Sequence, residues 1–571
     1  MNILSALLFA STLLTLSAAA QDAPKGKLAK VFSIKTVTAA IEPDDASGSR
    51  ILSVTASGMV NSGGWSAPAL SAHQYVTPPA DGIQAYDFVA AGPPEGSMTT
   101  ISLEEFTTTI SGELAHWVKG VRVEASSNSE VFMLDQLPEF AALSHVDAAG
   151  QPRSTLFQNV RIFDGSGSPL SKPMNVLVID NIIKLISIDS ITPNVGTVII
   201  NGGGRTLMPG LIDAHWHAML IRPTPAQSIF GDVGYNNITA GAEATSTLMR
   251  GFTTVRDVGG PTFGLKQAID DGTVPGPRIY PSGAMITITS GHGDFRQLSE
   301  LPRTIGGRLS RVEEIGGALI ADSPDEVRVR VREQLMQGAS QIKLTAGGGV
   351  SSPHSPVDVA TFSVEELRAA VGAAESWGTY VTAHAFSDEA VRRSIEAGVK
   401  VIEHGFLMSE ETAQLIAEKG IWLSLQPLPE GLRLGFPEGS VQRHGADEVW
   451  PGIDRTYQFA KKYNIKTAWG TDVLFSQALA QQQGAILASL TRWYTPAEAL
   501  AMATGTNAEL LALSGRRNPY PGKLGVVEEG ALADLLLVDG DPLENINLVA
   551  DPANFAVIMK DGQVYKNTLP Q

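Results

Sequence analysis

The 571-residue chain contains no cysteine. That absence removes the thiol nucleophile, the cysteine-held zinc site, the iron–sulfur cluster and the disulfide. Any metal must therefore be held by histidine or carboxylate. Histidine is itself scarce, at 10 residues. Positive charge is also short: 42 Lys and Arg stand against 59 Asp and Glu, a net charge of −17 spread along the chain. An acidic surface disfavours nucleic acid and anionic membranes as partners. After the first twenty residues no apolar run is long enough to read as a transmembrane helix. What is left, 43% apolar and 18% charged residues, is an ordinary globular composition.

Residues 1–20 read as an export signal. The n-region at 1–5 lacks Lys and Arg, the apolar run at 7–16 is too short to span a bilayer, and Ala18-Ala19-Ala20 offers a small-residue cleavage site before Gln21. An uncleaved N-terminal anchor is the alternative. The export reading predicts a secreted or periplasmic protein, cleaved near Ala20 and free of the membrane in its mature form. Across 31–140, short strands at 51–56, 85–89 and 120–125 alternate with turns, which predicts an N-terminal all-β, sandwich-like domain. His73 and His116 are isolated there and are expected in surface or core roles. Strand patterns at 155–207 match others at 516–571, which predicts one small β-sandwich domain built from both ends of that segment.

Between them, over 208–515, strands alternate with helices. The candidate strands are 211–217, 253–257, 278–282, 341–346, 380–384, 400–404, 422–426 and 466–472. Helical patterns stop at Gly251, Gly338, Gly378, Gly398 and Gly420, residues that tolerate a left-handed C′ position. Eight such units predict an α/β fold of the (β/α)8 TIM-barrel type. A doubly wound sheet is the alternative, although no phosphate-loop fingerprint follows any strand.

Reactive groups of such a barrel sit at the C-terminal ends of its strands. Here those ends carry His215, His217, His384, His404 and Asp472, with Lys343 inside the fourth strand. Side chains two apart on a strand face the same way, so His215 and His217 can grip one ion. Buried charges are costly unless paired or bound to metal. Lys343 has two readings: it points away or pairs with an acid, or its amine has taken up carbon dioxide to form an anionic, bridging carbamate.

The run Leu207-Met208-Pro209-Gly210-Leu211-Ile212-Asp213-Ala214-His215-Trp216-His217 resembles the opening signature of the amidohydrolase superfamily. Gly251-Phe252-Thr253-Thr254-Val255-Arg256-Asp257, Ile402-Glu403-His404-Gly405, Gly470-Thr471-Asp472 and the closing run from Gly525 to Asp534 strengthen it. Together they are similar to the imidazolonepropionase-like branch, with its Xaa-Pro dipeptidases and ochratoxin-type amidases. The resemblance covers residues 155–571.

The resemblance implies that His215, His217 and Asp472 hold one divalent metal and His384 and His404 a second, with carboxylated Lys343 between them. Zinc is the expected ion. It implies that Asp472 moves a proton from the attacking water to the leaving nitrogen. His292, in Ser290-Gly291-His292-Gly293-Asp294, is then a catalytic or substrate contact, against a structural loop histidine. His354, beside Gly347-Gly348-Gly349, and Tyr235, after the first strand, are further substrate-binding candidates. Phe386 stands where dipeptidase relatives carry a tyrosine suited to a substrate carboxylate. The implied function is a secreted, binuclear amidohydrolase of small acyl-amino acids or dipeptides. A cyclic amide or lactone hydrolase with the same site, and a non-catalytic binding protein, are the alternatives. Barrels of this family often pair, so a homo-oligomer is compatible, although no surface in the sequence marks it.

Overall fold

A computed structural model describes residues 27–43, 50–73, 75, 79, 81–93, 104–113, 115, 117–133, 153–300, 308–352 and 354–569. The expected export signal and His116 lie outside these residues. No helix among the described residues is long and apolar enough to cross a membrane. The chain divides into two compact units, Met1–Phe140 and Ala141–Gln571.

The first unit is β-rich. Ser33–Pro43, Arg50–Val60 and Glu104–Glu113 form a three-stranded antiparallel sheet. Leu28–Lys30, Ser66–Ala72, Ile83–Ala91, Gly120–Glu124 and Ser129–Met133 form a second sheet, in which Ile83–Ala91 and Gly120–Glu124 run parallel. Period-2 alternation buries one face of each strand. Val54 and Ala56 from the first sheet share one apolar cluster with Phe88, Val121 and Val123 from the second. His73 is not isolated: its Nε2 lies 3.0 Å from Asp87, which also pairs with Lys30 at 2.8 Å.

In the second unit, Thr206–Pro209 pairs antiparallel with Leu535–Val538, so strands from both ends of the segment join one eight-stranded sheet. The intervening residues form an α/β fold of parallel strands alternating with helices. Leu211–Trp216, Phe252–Asp257 and Arg278–Pro281 make a three-stranded parallel sheet. Met285–Thr287, Ile342–Thr345, Val381–Ser387, Val401–Leu407, Trp422–Leu425 and Thr467–Trp469 make a second, with Ala318–Ile320 on its edge. These strands are buried almost throughout, as expected of parallel sheets covered on both faces.

Two of these strands escaped the periodicity analysis. The expected third strand is broken: Gly283 adopts φ +73°, and a Cβ there would lie 2.3 Å from Gln334 Oε1. That oxygen accepts from the N–H of Ala284 at 2.9 Å, which caps the break. Arg278–Pro281 pairs back to Phe252–Asp257, and Met285–Thr287 pairs forward to Ile342–Thr345. At the far edges, the N–H of Asp472 donates to the carbonyl of His215 at 2.9 Å. Asn507 Nδ2 donates to the carbonyls of Ile212 and Trp469 at 2.7 and 2.8 Å. The helices Asp388–Ala397 and Glu410–Lys419 end at left-handed Gly398 and Gly420, as their glycines predict.

Candidate metal centre

The strand ends bring the expected side chains to one place. Ligand atoms of His215, His404 and Asp472 lie within 4.8 Å of one another. His215 Nε2 and His217 Nε2 each lie 3.3 Å from Oδ1 of Asp472. The His384 ring centroid is 4.6 Å from that of His404 and 4.4 Å from that of His292. Lys343 is 2% exposed and lines the same cavity as these six residues.

Each imidazole is turned by a partner behind it. The N–H at Nδ1 of His215 donates to Glu403 Oε2 at 2.8 Å. Nδ1 of His217 donates to the carbonyl of Gly259 at 3.0 Å, and Nδ1 of His404 to Gln426 Oε1 at 2.6 Å. These bonds leave Nε2 of all three rings as the free lone pair. His384 is reversed: its Nε2 donates to the carbonyl of Gly348 at 2.8 Å, which frees Nδ1.

Glu403 is fully buried and also accepts from Arg256 at 2.6 Å and from Thr382. Arg256, likewise fully buried, donates to the carbonyl of Ala214 at 2.6 Å. Burial works against the Glu403 charge, but Arg256 and His215 hold its carboxyl well below the usual range. Glu403, Arg256 and Gln426 were not singled out from the sequence. A charged pair inside two strands that are otherwise apolar was the available signal. Asp213, also buried, accepts from Thr471 at 2.7 Å and Gln483 at 2.9 Å and so ties the first strand to the last.

Electrostatics follow the same plan. Burial pushes His404 down to about 3 and His292 to about 4, and it lowers His384 strongly. All three are neutral, ligand-ready rings near pH 7. His215 moves up, because Asp472 and Glu403 outweigh its burial and the nearby Lys343. Asp472 stays ionised against burial because His215, His217 and His404 surround it. In the metal-free protein a proton on His215 supplies positive charge that an ion would otherwise bring. Burial lowers Lys343 to about 8.

His404 and Asp472 adopt left-handed backbone at φ +75° and +54°. Such strain in non-glycine residues concentrates at functional sites. The expected glycine-rich approach to substrate is corrected: a Cβ on Gly349 would lie 2.2 Å from His292 Nδ1, so this glycine makes room for the His292 ring. His292 Nδ1 lies 2.8 Å from Ser352 Oγ, which also accepts from the N–H of Gly293 at 3.3 Å.

A cavity of about 950 Å³ opens over these groups. His292 and Phe386 line it; His354 and Tyr235 are not among its described lining residues. Tyr235 belongs to the helix Val233–Met249 rather than to a loop and is 51% exposed. Its N–H is spent on the Asp232 cap at 2.8 Å. His354 is exposed, and its carbonyl accepts from Ser290 Oγ at 2.9 Å.

The sequence pattern of the amidohydrolase family matches residues 206–565. Ochratoxinase of Aspergillus niger is 30% identical over 456 residues, spanning 74% of this chain and 88% of that protein. Among solved structures, an amidohydrolase is 34% identical with a TM-score of 0.67, covering 73% of this chain and 100% of its own. A prolidase complexed with N-methylphosphonate-L-proline is 31% identical with a TM-score of 0.66, over the same shares of both chains.

Proposed function

The chain belongs to the amidohydrolase family, and on that premise we propose that it is a binuclear, metal-dependent hydrolase of small amides. The observation that carries the reading is the convergence of His215, His404 and Asp472 ligand atoms within 4.8 Å on the floor of a cavity. A tetrahedral zinc ion about 2.0 Å from each ligand separates its ligand atoms by about 3.3 Å. Both His215 and His217 lie 3.3 Å from Asp472 Oδ1, which fits. His384 and His404, with rings 4.6 Å apart, are the ligands proposed for the second ion.

Lys343 is the proposed bridge, as a carbamate. Lowering its amine from 10.5 to about 8 makes the neutral form roughly 300-fold more populated at pH 7 than on an exposed lysine. The neutral amine is the form that adds carbon dioxide, losing a proton as the N–C bond forms. The product is an anion, which removes the repulsion between a cationic lysine and bound metal.

Bound divalent ions supply a water acidified towards neutral pH and a Lewis acid for the amide oxygen. The chain's own groups do the rest. Asp472, ionised and 20% exposed to the cavity, accepts the water's proton at its carboxylate and returns it to the leaving nitrogen. Ser352 Oγ–H donates to His292 Nδ1, which leaves Nε2–H of a neutral ring as donor to the substrate carbonyl.

The architecture that holds this site is read as one (β/α)8 barrel over 208–515. The break at Gly283 passes one strand between the two parallel sheets, and the Asp472–His215 backbone bond supports closure. A composite β domain at 155–207 and 516–571 and an N-terminal β-sandwich at 31–140 complete it. Secretion is proposed from residues 1–20.

Metal analysis and an amide panel test the proposal together. Two zinc equivalents per chain, loss of turnover on chelation, and its return with zinc plus bicarbonate are expected. Turnover that survives complete metal removal would overturn it.

A further inference from the structure

The cavity wall above the histidines suits a ligand without charge. Leu428, Leu432, Phe436, Leu474 and Leu479 form much of it. Among the described lining residues the only formally charged side chains are Lys343 and Asp472, both part of the floor. Neighbouring arginines are already engaged. Arg433 pairs with Glu430 and Asp447, Arg443 with Asp447 at 3.0 Å, and Arg311 donates to the carbonyl of Ile229 at 3.2 Å. Phe386 places a phenyl ring 4.7 Å from His384 and 5.0 Å from His404, with no hydroxyl to offer a carboxylate. A carboxylate set against such a wall would lose its water and gain no partner. The chain's net charge of −17 also works against the approach of an anion.

One polar atom breaks the apolar wall. Trp450 lines the cavity, and its indole Nε1 is buried with no acceptor among the described residues. Buried donors are almost always paired, and an indole N–H at a binding surface is matched by an oxygen acceptor. A neutral oxygen meets that need without an ionic desolvation penalty.

We propose that the substrate is an uncharged, largely apolar amide that carries no carboxylate and has a second neutral oxygen, received by Trp450 Nε1–H. This rests on the amide-hydrolase reading above. About 950 Å³ accommodates a ligand with two ring-sized groups.

The test uses the zinc-loaded full chain and three matched amides: N-benzoylphenylalanine, its dimethylamide, and N-benzoylphenethylamine. They differ only in the group on the amine's α-carbon: an anion, a neutral oxygen, or hydrogen. Chromatography of the released benzoate scores cleavage of the shared bond. We expect kcat/KM for the dimethylamide at least tenfold above that for the carboxylate. Trp450→Phe should lower kcat/KM for the dimethylamide about fivefold and leave the phenethylamine amide within twofold. A preference for the carboxylate, or equal effects of Trp450→Phe on both neutral amides, overturns the substrate class while leaving the hydrolase reading intact. Cleavage of none of the three overturns the hydrolase reading and the substrate class with it.

Discussion

Replacing Lys343 with methionine should separate stability from activity. Lys343 is 2% exposed, and burial lowers its ammonium from 10.5 to about 8 despite the pull of Glu403 and Asp472. The sign follows from proton counts. Between pH 8 and 10.5 the unfolded chain holds a proton that the folded chain has released, so stability rises with pH across that window. Below pH 8 the whole penalty bears on the metal-free fold. At about 1.4 kcal/mol per unit it amounts to about 3 kcal/mol. Methionine fills a similar volume without charge. Metal-free Lys343→Met should therefore unfold at a higher temperature than the parent at pH 7, by up to about 3 kcal/mol of stability. The two proteins should converge as pH approaches 10.5. Loaded with zinc, the same variant lacks the bridge and should lose turnover by about 10³-fold or more. Thermal melts at pH 7 and pH 10 in chelator, beside zinc stoichiometry and kcat, measure both arms. A metal-free variant less stable than the parent at pH 7 would refute the reasoning. It would mean that Lys343 is a structural cation for Glu403 and Asp472, with no neutral amine available for a carbamate.

Three other outcomes follow from the same geometry. His292 and His404 titrate at about 4 and about 3 in the folded state, both below the unfolded 6.5. Over pH 6.5 to 4 only the unfolded chain binds these protons, so metal-free stability falls with falling pH by about 1.4 kcal/mol per unit for each ring. His292→Asn should remove one ring's share of that slope, and an unchanged slope between pH 6.5 and 5 would count against its buried, neutral state. Gly349→Ala drives a methyl group into His292, so kcat/KM should fall about 10-fold or more while zinc content holds at the parent value. Loss of zinc in that variant would show that the loop supports the metal ligands instead. Glu403→Gln leaves Arg256 buried beside a neutral amide and removes the anion behind His215. Stability should fall by about 3 kcal/mol or more and zinc affinity by about 10–100-fold, read by denaturant melts and a competitive chelator.

How much of this was legible in the sequence depends on the range of the interaction. Local signals read well. Glycine stops placed the helix ends at Gly398 and Gly420, and strand periodicity located the histidine-bearing strand ends. The same rules failed where the backbone leaves regular geometry. The kink at Gly283 split an expected strand, and the left-handed turn at His404 and Gly405 means that alternation alone could not say which way His404 points. Tyr235 was misplaced for a related reason: Asp232 caps a helix that begins earlier than its apolar pattern suggests. The groups that orient the ligands were hidden more deeply. Glu403 reaches His215 across 188 positions of sequence, and Gln426 reaches the same ring across 211. Neither spacing has a period, because no single element sets it. A metal ligand is announced by its residue type at a strand end, whereas its supporting partner is selected by the cost of leaving a buried polar atom unpaired. Trp450 extends that logic to the substrate. Its indole looks like an ordinary apolar wall residue in the helix Val441–Lys462 until the fold shows that its buried N–H has found no acceptor among the described residues.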